Sequence, residues 1–152
     1  KCADIITPNT TEAMYLTDRP YSNSIGEDEV KDILVQLSHM GPKIVIITGI
    51  LEHDNIDTYA YDSKNNQFWK VGCKHLPVEF PGTGDCFTSV LIGSLLNGDS
   101  LPVALDRGVG FINNGIRESY GFKYPRREGI LLEKVLNTLN MPVYNSRYEL
   151  LE

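Results

Sequence analysis

The chain has 152 residues, 41% hydrophobic and 22% charged, with a net charge of −6. That length suits one domain with a real core, and the balance is ordinary for a globular chain. The acidity argues against a nucleic-acid partner held by general electrostatics, and no apolar run approaches the ~20 residues a bilayer span needs.

Cys2, Cys73 and Cys86 are odd in number and widely spaced. They fit neither a disulfide framework nor a zinc site, so a reducing cytoplasm is the expected compartment. The chain opens on Lys1 and runs straight into Ala3-Asp4-Ile5-Ile6, a short strand. It reads as a piece of something longer, and no signal peptide is visible. Pro8 stops that strand, and Asn9 with Glu12 three residues on is close to a capping box for the helix that follows. Ser24 and Glu27 suggest a second box, ahead of Val30, Ile33, Leu34, Leu37 and Met40 at helical spacing. Gly41-Pro42 ends that helix, with His39 in its last turn.

Lys43 to Ile47 is a β-branched run suited to a strand buried on both faces, and it ends in Thr48-Gly49. Strand, helix, strand implies a crossover connection within a parallel sheet. Asp57 to Tyr61 and Gln67 to Val71 flank a polar turn and read as a hairpin. Their aromatic residues, Tyr59, Tyr61, Phe68 and Trp69, are expected to pack the sheet. His53 and His75 are isolated and have no second metal ligand at suitable spacing.

Pro81-Gly82-Thr83-Gly84-Asp85-Cys86-Phe87 carries the strongest chemical signal. A Gly-rich turn feeds a helix that begins near Gly84 and continues through Val90, Leu91 and Leu95. Such a turn offers unpaired N–H groups, and the helix dipole adds positive potential. The product is a site for a phosphate or an oxyanion, with Asp85 at its edge as a proton acceptor. No Lys-Ser or Lys-Thr follows the glycines, so it is not a Walker A loop. A plain helix start explains the motif equally well on its own.

Ser100 is placed to start a helix with the face Leu105, Val109, Ile112 and Ile116, ended by Gly121. Gly108, Gly110 and Gly115 inside it suggest close packing or a close ligand. Tyr124-Pro125-Arg126-Arg127 is a basic loop, and Ile130 to Leu139 reads as a final amphipathic helix. Met141 to Glu152 carries no clear signal. The expected fold is α/β, a mainly parallel sheet with helices on both faces plus a hairpin or antiparallel edge. Residues 1–152 are taken as a single portion. In such sheets ligands bind beyond the carboxyl ends of the strands, so Thr7-Pro8-Asn9, Thr48-Gly49 and Gly82 to Asp85 are expected on one edge.

In that order, Ala3 to Ala13, Val45-Ile46-Ile47-Thr48-Gly49 and Gly82-Thr83-Gly84-Asp85 resemble the second half of the pyridoxal kinases, of the ribokinase-like superfamily. The resemblance covers most of residues 1 to about 140. It implies ATP-dependent phosphorylation of the 5′-hydroxymethyl group of pyridoxal, pyridoxine or pyridoxamine. It implies Asp85 as catalytic base and Gly82, Thr83 and Gly84 as anion hole. Asn9 and Glu12 match the motif that positions Mg2+ and phosphate, with Glu12 facing the metal. Thr7, Thr48, Gly49, Thr83 and Gly84 match positions on the triphosphate, and Leu76, Pro77 and Val78 match a loop beside the nucleotide. The implied cofactors are ATP and Mg2+, with K+ admitted. The partners are small molecules, with no nucleic acid and no membrane, and a homodimeric parent is admitted.

The family's vitamin-binding residues lie mostly in a half without counterpart here, so residues 1–152 alone are expected to be inactive. Hydroxymethylpyrimidine kinases are close relatives but commonly carry Cys where this chain has Asp85. That leaves three readings: pyridoxal kinase, another small-alcohol kinase, or a catalytically incompetent fragment.

Overall fold

The computed structural model describes residues 3–22, 25–143 and 146–152. Its contacts divide the chain into two compact units. The first runs to Gly72 and takes back Glu149–Glu152, and the second is Cys73–Tyr148.

In the first unit the β-branched run becomes β2 (Ile44–Glu52), parallel to the two-residue β1 (Ile5–Ile6). Val45, Ile46 and Ile47 are all fully buried. Successive strand residues face opposite sides, so both faces of β2 are covered, as its composition requires. The strand does not end at Thr48-Gly49 as expected. It continues to Glu52 through a register shift between Ile47 and Ile50, where Gly49 takes φ +79°. A bulge with a left-handed glycine lets the ladder restart beyond the irregularity. β2 then pairs antiparallel with β3 (Asn55–Asp62), with Ile47 opposite Tyr59 and Val45 opposite Tyr61. β4 (Gln67–Lys74) and β5 (Tyr148–Leu151) complete a sheet of order β1-β2-β3-β4-β5.

α1 (Thr10–Leu16) and α2 (Glu27–Ser38) lie between β1 and β2 in the chain. α2 buries Val30, Ile33, Leu34 and Leu37 against Val45, Ile47, Tyr59 and Tyr61. Each such side chain contributes about 1.5–3 kcal/mol by leaving water. The N-cap of α2 is Gly26. Ser24 lies outside the described residues. Glu27, Asp28 and Glu29 in the first turn supply the dipole complement. The aromatic residues pack the sheet: the Tyr61 and Phe68 rings stack at 4.4 Å. Beside them Lys70 Nζ reaches Glu52 Oε2 at 2.6 Å and Asp57 Oδ2 at 3.1 Å. Burial pushes the Asp57 carboxyl up, against the pull of Lys70.

The second unit is built on α3 (Thr83–Leu96) and α4 (Leu101–Tyr120). The α4 glycines answer to packing. A β-carbon at Gly108 would lie 2.8 Å from the Phe87 ring of α3, and one at Gly115 would lie 2.7 Å from Ile130. Gly110 makes room for the Arg147 guanidinium. Arg147 donates from N, Nε and Nη2 to the fully buried Asp106 carboxylate at 2.9, 2.8 and 2.6 Å.

The expected helix from Ile130 to Leu139 does not form. Three 3-10 turns stand there and before it: Arg126–Glu128, Leu132–Lys134 and Leu136–Asn140. Side chains of α4 tie both ends of the segment. Leu131 N donates to Ser119 Oγ, and Arg107 Nη1 donates to the Leu139 and Met141 carbonyls.

Candidate functional site

Two of the three expected turns meet in the first unit. Asn9 forms an isolated parallel bridge with Thr48, and Thr48 N donates to the Pro8 carbonyl at 3.0 Å. Thr10 Oγ1 donates to the carbonyls of Thr48 and Gly49 at 3.3 and 3.2 Å. Thr7, Asn9, Glu12, Thr48 and Gly49 are thereby gathered at one end of β1 and β2. A groove of about 590 Å³ lined by Thr7, Pro8, Thr11 and Glu12 lies beside them.

The capping box is complete. Asn9 Oδ1 accepts from Glu12 N, and Glu12 Oε2 accepts from Asn9 N, both at 2.9 Å. Both side chains are therefore spoken for locally, and both remain exposed. Among the described residues no group of three or more His, Cys, Asp or Glu could hold a metal ion. One exposed carboxylate with a free oxygen still suits magnesium, which keeps several waters and takes one or two carboxylates plus substrate phosphates.

The third turn stands in the second unit. Gly82 is the N-cap of α3 with φ +80°, and no side chain caps the helix. Cys86 N is the first amide to find a carbonyl in the turn, that of Gly82 at 3.1 Å. Thr83, Gly84 and Asp85 occupy the first three helical positions, whose amides a helix leaves unpaired. Thr83 Oγ1 turns back to the Phe80 carbonyl at 3.2 Å. A β-carbon at Gly82 or Gly84 would meet nothing within 4 Å. Protein packing therefore does not ask for glycine at Gly84. Gly82 needs it for its positive φ.

Asp85 is exposed in this first turn and lines a cavity of about 800 Å³ with Cys86, Ser89, Val90, Phe111 and Leu136. Burial raises the Cys86 thiol, and the Asp85 charge adds to that. A thiol held protonated is a poor nucleophile. The segment before the turn is part of a small core. Val78 and Phe80 are buried with Ile130, and Leu76, Ile112 and Tyr124 pack against them. Val78 thus faces the protein, while Pro77 is exposed.

Asp106, Arg107 and Arg147, which fix the later segments, carried no sequence signal of their own. A buried acid in a helix face of Leu105 and Val109 is visible only once its partner 41 residues on is known.

The sheet and its helices have the fold of the ribokinase-like superfamily. More narrowly, the chain belongs to the phosphomethylpyrimidine kinase family, whose model matches residues 1–129. A Bacteroides thetaiotaomicron protein, provisionally named a phosphomethylpyrimidine kinase, has been solved in two crystal forms. One is 53% identical with a TM-score of 0.95, covering 98% of this chain and 52% of that one. The other, which contains pyridoxal, is 52% identical with a TM-score of 0.93, covering 98% and 53%. A Caenorhabditis elegans protein provisionally named a pyridoxal kinase is 33% identical over 103 residues, 64% of this chain and 31% of its own length. A Staphylococcus aureus pyridoxal kinase solved with ADP shares the fold at 22% identity, with a TM-score of 0.74, covering 99% and 53%. The chain spans about half the length of these solved proteins and 31% of the curated relative. Kinase membership of the pyridoxal or phosphomethylpyrimidine type is thus established for the family.

Proposed function

We propose that this chain carries the ATP site and catalytic base of a kinase that phosphorylates the 5′-hydroxymethyl group of pyridoxal, pyridoxine or pyridoxamine. The observation that carries the reading is the uncapped first turn of α3, with Asp85 exposed on it. The amides of Thr83, Gly84 and Asp85 are donors fixed in advance toward developing negative charge, which costs no reorganisation during reaction. Gly84, unexplained by packing, leaves the backbone open to a phosphate. Asp85 accepts the hydroxyl proton as the substrate oxygen bonds to the γ-phosphorus and the bond to the ADP oxygen breaks. Phosphoryl transfer asks little of a base, because proton loss comes late.

In the first unit, Thr7, Asn9, Thr48 and Gly49 line the triphosphate, and Leu76, Pro77 and Val78 flank the nucleotide. Glu12 is the residue that would hold magnesium, which supplies charge neutralisation at the phosphates. K+ as a further cofactor, a homodimeric parent and a cytoplasmic setting belong to the same reading. The S. aureus likeness solved with ADP and the B. thetaiotaomicron likeness solved with pyridoxal support the two ligands.

The second reading is phosphorylation of a hydroxymethylpyrimidine, favoured by the family's own description. The family resemblance places Cys where this chain has Asp85 in many of those enzymes, which favours pyridoxal. An ADP-release assay on the parent enzyme, with pyridoxal and hydroxymethylpyrimidine side by side, separates them. Pyridoxal turnover at least tenfold faster is expected, and the reverse preference overturns the first reading. Calorimetry on residues 1–152 is expected to give weak Mg-ATP binding. Turnover needs the substrate hydroxyl held in line, a positioning worth ~7–11 kcal/mol. Robust pyridoxal-dependent turnover by the 152-residue chain would show that its substrate site lies within it.

A further inference from the structure

The basic turn after α4 is built onto the segment that feeds the anion site. Tyr124 stacks on Phe80, with ring centroids 6.2 Å apart. Tyr124 Oη donates to the Gly129 carbonyl at 2.6 Å, closing the loop on itself. Ile130 is buried with Val78 and Phe80. Gly129 takes φ +81°, and a β-carbon there would lie 3.2 Å from the Pro81 carbonyl. Both ends of the loop are therefore tied to the residues immediately before Gly82.

Arg126 and Arg127 stand between these anchors, in the 3-10 turn Arg126–Glu128. A 3-10 turn rises ~2 Å per residue, so both α-carbons stay within roughly 6–7 Å of Gly129 and its contact with Pro81. Both residues are exposed. Among the described residues neither makes an ion pair, although the chain as a whole is acidic with a net charge of −6. Of the other arginines of this unit, Arg107 and Arg147 are consumed by carboxylates and carbonyls, whereas Arg117 on α4 is exposed like the pair. Two exposed guanidiniums without an ion pair, on a loop whose ends are anchored beside the start of α3, suit a polyanion.

We propose that Arg126 and Arg127 are positioning residues that grip the polyphosphate of the nucleotide delivered to the Gly82–Gly84 turn. The inference rests on the nucleotide-site reading above. Guanidinium groups match phosphate oxygens in pairs, so the loop sets the register of the phosphates while the α3 amides take the terminal group. Tyr124 and Phe80 hold the loop in place before the ligand arrives, which reduces the ordering cost of binding.

The test compares Mg-ATP, Mg-ADP and adenosine binding by calorimetry, for the wild-type chain and for Arg126→Gln/Arg127→Gln. The double variant is expected to bind Mg-ATP about 10- to 100-fold more weakly, as loss of charge-assisted bonds implies, with adenosine affinity unchanged. Its salt dependence should flatten, and Arg126→Lys/Arg127→Lys should recover part of the Mg-ATP affinity but not all. Equal Mg-ATP affinity in wild type and variant overturns the proposal and leaves the nucleotide site standing. So does a loss of adenosine binding equal to the loss of ATP binding, since the loop would then act through the fold. A wild-type chain that binds none of the three removes the nucleotide-site reading itself and this inference with it.

Discussion

Two helix starts in this chain solve the same problem in opposite ways. α1 closes its own N-terminus, with Asn9 and Glu12 each accepting the other's amide proton. α3 leaves its N-terminus open, with a left-handed glycine at the cap and no side-chain bond. Glycine at the cap in place of a side-chain acceptor forgoes roughly a few tenths of a kcal/mol. The spent donors of α1 hold the scaffold, and since α2 and α4 also start without a side-chain cap, what sets α3 apart is its left-handed Gly82 with Gly84 and Asp85 in the first turn. Glu12 complicates the contrast, since its second oxygen is still available.

The comparison is most exposed at Asp85. In the parent enzyme Asp85→Asn should lower turnover by ~10²–10⁴-fold while ATP affinity stays nearly constant. Near wild-type turnover in steady-state kinetics would return Asp85 to an ordinary first-turn acid. Next comes Gly82→Ala, where φ +80° makes any β-carbon costly. A loss of about 1–2 kcal/mol in urea unfolding is expected, together with weaker binding of tripolyphosphate followed by its stabilising shift in Tm. Unaltered tripolyphosphate stabilisation would mean that the open turn is not the anion site. Asn9→Ala should cost about 1 kcal/mol of stability, because it removes one half of a closed box. If unfolding is unchanged, the cap is ornamental and the contrast fails. The smallest effect belongs to Glu12→Gln. Glutamine still completes the box, so Tm should move by only a degree or two. The magnesium concentration for half-maximal rate in the parent should nevertheless rise, and an unchanged magnesium profile would confine Glu12 to capping.

Local patterns were legible wherever one short stretch decides the outcome. Asn9 with Glu12, the run Ile44 to Ile47 and the helix face of α2 all form as their spacing implies. The turn Gly82 to Asp85 was legible for the same reason, since its glycines and its acid are contiguous. Features decided by distant partners were not. The apolar spacing from Ile130 to Leu139 promises a helix, but the segment is tied at both ends to Ser119 and Arg107 and folds into short 3-10 turns. Gly110 gave no hint that it clears space for Arg147, and Asp106 none that it is fully buried. Thr48-Gly49 looked like a strand end because the bulge that carries β2 onward depends on its pairing with β3. Arg126 and Arg127 could be read only as a basic loop, because their anchors, Phe80 and Pro81, lie more than forty residues away.

The route of the chain through the sheet bears on how the protein folds. β4 and β5 are neighbours, yet all of α3, α4 and the 3-10 turns come between them. Pairing β5 therefore closes a loop of about seventy residues, whereas the β2–β3 hairpin closes one of a few, and closure entropy grows with the logarithm of that length. Non-local pairings of this kind slow folding. The hairpin and its α2 cover should form early. β5 should join last, after Asp106 has captured Arg147, the residue one step before the strand begins. On that order the ion pair would shorten the search of the terminal strand for its place, and Asp106→Asn is expected to slow the last phase of refolding in stopped-flow kinetics.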